Sequence, residues 1–147
     1  MNEVSPVVET KTAERNGNAT PGVLEALQNV SRREGDAALE QRLADLRAFM
    51  ADDMAHVERA LADLDLRETP MHKSAVHLLD AAGKRLRPMC VALAARIGDG
   101  FGPVAHEYAV AVELVHNATL LHDDVVDLGD VRRGNPTSRM LYGNAAS

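Results

Sequence analysis

The side chains most able to do chemistry fall between Glu113 and Asp127: Glu113, His116, His122, Asp123, Asp124 and Asp127. They interrupt a stretch otherwise built from Tyr108, Val110, Val112, Leu114, Val115, Leu120 and Leu121. A helix that apolar on several sides is expected to be largely buried. Steps of seven and then four bring His116, Asp123 and Asp127 to nearly one helix face. His116 then lies two turns, about 10 Å, from Asp123. Asp123 and Asp127 are one turn apart, so both carboxylates can reach one site. Three carboxylates at a helix C-terminus repel one another and oppose the macrodipole, which calls for a positive partner. An oxygen-rich cluster without cysteine suits a hard cation such as Mg²⁺, which takes one or two carboxylates and then substrate phosphates. Arg132 and Arg133 follow at once, and Lys84, Arg85 and Arg87 form a second cationic cluster behind Gly83. Guanidinium forks match phosphate oxygens. Two basic loops and one acidic helix end are consistent with a site for metal-bridged diphosphates. Taken singly, the acidic triplet reads as a solvated surface, Lys84–Arg87 as a helix-end charge cluster and His116 as a core histidine. Their joint occurrence is what points to a site.

These residues need helices to position them. From Asp36 onward, Leu39, Leu43, Leu46, Met50, Met54, Val57, Leu61 and Leu64 recur at steps of three or four, one apolar stripe on a long helix or a broken pair. Thr69-Pro70 reads as an N-cap with proline at the first helical position, opening a helix to about Ala82 that Gly83 closes. Arg87-Pro88 starts the next, which stops at Gly98-Asp99-Gly100. Gly102-Pro103 opens the long acidic helix, expected to reach about Leu128 and end at Gly129. Thr137 caps one more. The short connections imply antiparallel neighbours, so the fold class is an all-α antiparallel bundle. Residues 1–35, broken by Pro6, Gly17, Pro21, Gly22 and Gly35, read as a flexible solvated arm, with a short helix near Val23–Val30 as the alternative.

Three blocks stand in order: Gly83-Lys84-Arg85-Leu86-Arg87-Pro88; Glu113-Leu114-Val115-His116 leading to His122-Asp123-Asp124-Val125-Val126-Asp127; and Arg132-Arg133-Gly134-Asn135-Pro136-Thr137. Together they resemble the trans-isoprenyl diphosphate synthases, or polyprenyl synthetases, most clearly from about Leu78 to Ser147. The resemblance implies the N-terminal part of the isoprenoid synthase fold, residues 36–147 forming a partial domain cut short on its C-terminal side. It also implies an enzyme that condenses an allylic diphosphate with isopentenyl diphosphate, with Mg²⁺ as cofactor. Asp123 and Asp127 would ligate the metal with support from Asp124. Lys84, Arg87 and His116 would hold isopentenyl diphosphate, Arg132 the allylic diphosphate, and Arg133 would add a contact to isopentenyl diphosphate. Lys84, Asp123 and Asp127 would thus carry the reaction. One departure is that the usual glycine pair before the lysine is Ala82-Gly83. Ala118 and Thr119, about a turn before the acidic motif, would face the product tunnel. Their small size implies a long product, as in the long-chain members. The family's second aspartate-rich motif lies beyond Ser147, so a truncated copy is expected, inactive by itself and homodimeric when complete.

Composition limits the alternatives. A chain of 147 residues allows one domain. With 3% aromatic residues and no Trp, its core must be aliphatic. A net charge of −6 argues against nucleic acid as main partner. The single cysteine, Cys90, excludes an internal disulfide and fits a reducing, cytoplasmic setting. No apolar run approaches the ~18 residues of a membrane span. Three other functions compete. A non-catalytic subunit of a two-component prenyl synthase would be marked by degenerate motifs, and these are intact. A metal phosphohydrolase built on His122-Asp123 with His116 needs further ligands, and His56, His72, His77 and His106 lack supporting spacing. A helical interaction protein leaves the paired arginines and the acidic triplet unexplained.

Overall fold

The computed structural model describes residues 22–64, 69–80, 83–132 and 134–145. Helices dominate: α1 (Val23–Glu34), α2 (Ala37–Ala62), α3 (Pro70–Asp80), α4 (Leu86–Ile97), α5 (Pro103–Val126) and α6 (Ser138–Tyr142). Between α5 and α6 lies a small antiparallel ribbon, β1 (Val131–Arg132) with β2 (Asn135–Pro136), pairing Val131 with Pro136 and Arg132 with Asn135. The expected all-α class holds. The ribbon is the exception, made where Gly134 at φ +84° reverses the chain.

The stretch expected as a solvated arm is corrected over Val23–Glu34, where the alternative of a short helix near Val23–Val30 holds and extends four residues further, packed along α2. Residues 1–21 lie outside the described residues. The inward face of α1 buries Leu24 and Ser31. Ser31 is polar, so an apolar count passes over it, yet its hydroxyl donates to the Asp36 carbonyl at 2.7 Å and is satisfied there. Gly35 turns at φ +76°, and Asp36 caps α2 by accepting the Leu39 amide at 2.9 Å. A two-residue link between mutually packed helices makes a helical hairpin.

The apolar stripe is one unbroken helix from Leu39 to Leu61, with Leu64 just past its end, and is buried mainly in its second half at Met50, Val57 and Leu61. The same face carries a buried carboxylate, Asp53, gripped in bidentate fashion by Arg96 of α4 at 2.8 and 2.7 Å. The guanidinium of Arg96 also lies over the Phe49 ring. Thr69 starts α3 as expected, its hydroxyl accepting the His72 amide. The core joins Val57 and Leu61 of α2 to Leu79 of α3 and Ala109 of α5, with Val91, Phe101 and Leu114 packed around them. α5 touches α2, α3, α4 and α6, so the helix that carries the chemistry is the bundle's central rod. Met50 is 1% exposed, and Met50→Ala is expected to lower unfolding free energy by about 2–3 kcal/mol in urea denaturation.

Candidate active site

The acidic end of α5 is wound down tightly. The helix stops at Val126, two residues before the expected end, with Asp127 as C-cap. The left-handed position is taken by Leu128 at φ +53° and not by Gly129. The Leu128 amide donates to the Val125 carbonyl (3.4 Å) and the Gly129 amide to the Asp124 carbonyl (3.0 Å), the paired bonds of a Schellman ending. This ending folds the chain back along α5. Thr137 then ties it down by donating to the Gly129 carbonyl at 2.7 Å, and Arg139 covers the Leu128 and Gly129 carbonyls at 3.0 and 3.2 Å. A cation beside the last carbonyls offsets the negative pole of the helix.

The return brings Arg132 onto Asp124. Its Nε lies 3.0 and 3.1 Å from the two carboxylate oxygens and its Nη2 lies 2.8 Å from Oδ1. Asp124 is 5% exposed, so the pair is closed on the acid's side and open on the arginine's. The Arg132 pKa is raised by its hydrogen bonds to Asp124, against some desolvation, with further support from the charges of Asp123 and Asp127. The guanidinium therefore stays charged at every working pH. Its contribution to stability is complete below its ordinary pKa and is lost only as pH rises through the raised folded value. Asp124, expected to support a metal, has both oxygens occupied by the arginine expected to hold the allylic diphosphate. Asp123 and Asp127 are exposed, one turn apart.

The basic loop divides its labour. Arg85 turns inward at φ +49° and spans three helices. It donates to Glu58 of α2 at 2.8 Å, to Glu113 of α5 at 2.9 Å and to the Leu79 carbonyl of α3 at 3.3 Å. Burial lowers its pKa, but the two carboxylates outweigh that and the net shift is upward. Lys84 and Arg87 remain exposed, with no ion pair to either among the described residues. The Lys84 carbonyl accepts the Val23 amide of α1 at 3.3 Å. Gly83, expected to close α3, has a φ outside the left-handed region. Its use is space, because a Cβ there would stand 3.2 Å from Glu113 Oε1 and 3.3 Å from Arg85 Nη1.

A cavity of about 200 Å³ collects most of these groups between α3, α5, the basic loop and the ribbon. Lys84, Arg87, His116, Asp124 and Arg132 all line it. Asp123 and Asp127 are not among the lining residues, and Arg133 lies outside the described residues. Among the described residues no group of three or more His, Cys, Asp or Glu side chains is placed to hold a metal ion. The exposed pair Asp123 and Asp127, one turn apart, are the residues that would hold a largely hydrated Mg²⁺ if phosphates completed its shell. Ala118 and Thr119 are exposed on α5, and the Thr119 hydroxyl donates back to the His116 carbonyl at 2.7 Å. No helix among the described residues is long and apolar enough to cross a membrane.

Composition and spacing missed the supporting roles of Arg85, Glu58, Glu113 and Arg139. The signal for Glu113 was present, since a carboxylate amid the apolar residues of a buried helix requires a cation nearby.

The chain is similar to known proteins. The octaprenyl diphosphate synthase of Escherichia coli (strain K12) is 40% identical over 106 residues, covering 71% of this chain and 33% of that protein. Heptaprenyl diphosphate synthase component 2 of Geobacillus stearothermophilus is 44% identical over 104 residues, covering 70% and 32%. Among solved structures, the decaprenyl diphosphate synthase of Rhodobacter capsulatus superposes with a TM-score of 0.63 at 41% identity, again covering 70% and 32%. The chain thus spans about a third of the length of these relatives. The polyprenyl synthetase family model matches residues 68–147, more than half the chain and the whole stretch from α3 through the acidic helix end to α6. The chain belongs to the polyprenyl synthetase family.

Proposed function

We propose that this chain supplies the diphosphate-binding half of a prenyltransferase site that joins an allylic diphosphate to isopentenyl diphosphate. One observation carries the reading: Lys84, Arg87, His116 and Arg132, drawn from three separate stretches of sequence, line a single cavity at the acidic end of α5. Lys84, Arg87 and His116 bind the diphosphate of the isopentenyl unit. Arg132, with donors left over after Asp124, faces the allylic diphosphate. Asp123 and Asp127 would hold Mg²⁺, whose charge would offset that of the departing diphosphate. Once the allylic carbon–oxygen bond breaks, the isopentenyl double bond attacks the allylic carbon and loss of a proton completes the step. The relatives' names, heptaprenyl, octaprenyl and decaprenyl, support a long product, as do the small residues Ala118 and Thr119. A homodimer of the whole protein and a cytoplasmic location accompany this reading.

Inorganic pyrophosphate titrated with Mg²⁺ into the chain in a calorimeter tests it. Binding is expected, weakened about tenfold by Lys84→Ala through loss of a charge-assisted contact. No heat from the unsubstituted chain would sink the reading. A second reading, a subunit working beside a separate protein, is favoured by one relative's designation as a "component 2". Intact Lys84, Asp123 and Asp127 distinguish the two readings, because a purely supporting subunit would bind no pyrophosphate.

A further inference from the structure

All three cations of the Gly83–Arg87 loop line the cavity, and the middle one, Arg85, is bound to carboxylates of the protein itself. Arg85 is held by Glu58, Glu113 and the Leu79 carbonyl, so its fork is committed to three helices. Glu113 is 3% exposed and sits three residues before His116 on the same helix. Its own carbonyl accepts the buried Asn117 amide at 2.7 Å. Gly83 leaves this pair just enough room. The left-handed backbone at Arg85 has no glycine to ease it, a strain that persists only when surrounding contacts over-determine it.

We propose that Arg85 and Glu113 form a positioning pair: they fix the loop so that Lys84 and Arg87 face the cavity beside His116, and Arg85 itself touches no substrate. The proposal deepens the diphosphate reading and rests on it for the identity of the anion. The arrangement of the loop can be tested without any ligand.

Two conservative variants separate positioning from charge. Arg85→Lys keeps the cation but cannot reach three partners, and Glu113→Gln keeps the shape but removes the carboxylate. Each is expected to weaken Mg²⁺–pyrophosphate binding about tenfold, and the double variant to lose little more than either single one. Independently of ligand, the Val23 amide bonded to the Lys84 carbonyl should exchange with deuterium about tenfold faster in both variants as the loop loosens. If Arg85 instead contacts the anion directly, Glu113→Gln frees it and binding holds or tightens while Arg85→Lys alone loses affinity. That result overturns the proposal, as does unchanged Val23 exchange in either variant. Should the unsubstituted chain bind no pyrophosphate, the diphosphate reading fails, and the exchange measurement alone decides whether the pair positions the loop.

Discussion

Arg132→Ala is expected to cost about 2–3 kcal/mol of folding free energy and to remove most of the affinity for pyrophosphate. The stability loss comes from the residue left behind. Asp124 is almost fully enclosed, and without its guanidinium partner it is a buried charge that nothing neutralises. Breaking a fully buried pair costs about 3–5 kcal/mol. The lower figure applies because Arg132 is partly open to water, which screens the pair and lets solvent enter after truncation. The check is a pair of urea curves. Arg132→Ala shifts the midpoint, and Arg132→Ala with Asp124→Asn recovers much of the shift because no carboxylate remains to be buried. Pyrophosphate affinity stays low in both. Recovery of affinity in the double variant would mean that Arg132 serves only to neutralise Asp124.

The second large effect concerns the metal. Asp123→Asn combined with Asp127→Asn should abolish the Mg²⁺ dependence of pyrophosphate binding, weakening it about a hundredfold in saturating Mg²⁺. Both side chains are exposed, so the fold should tolerate the change within about 0.5 kcal/mol. Asp124→Asn behaves oppositely, lowering stability while leaving Mg²⁺ dependence in place. That crossed pattern separates the ligands from the ion-pair partner. Equal loss of Mg²⁺ dependence in all three positions would place Asp124 among the ligands.

The separate fates of these three aspartates mark where sequence reasoning reached its limit. Helical spacing locates Asp123 and Asp127 one turn apart, because the 3.6-residue period holds almost to the helix end. It does not show that the chain doubles back after Leu128 and delivers Arg132 to Asp124, since that depends on a left-handed leucine where glycine was the expected terminator. The basic loop was visible as charge, but not as two exposed cations and one structural one. Arg85 differs from Arg87 only in which neighbours its backbone lets it meet, and those lie 27 and 28 residues away. The bundle was legible from Asp36 on because Met50, Val57 and Leu61 repeat with helical period. α1 was legible only as the weaker alternative near Val23–Val30, because half of its buried contact is a serine.

The amide of Val23 on the Lys84 carbonyl has a consequence for anyone who shortens the chain. The family model begins at residue 68, which invites trimming to that border. A trimmed protein would keep every signature motif yet lose both the strap across the cation loop and Glu58, one of the anchors of Arg85. The smallest piece that behaves like the parent therefore starts no later than Gly22, some 46 residues upstream of where the family model begins.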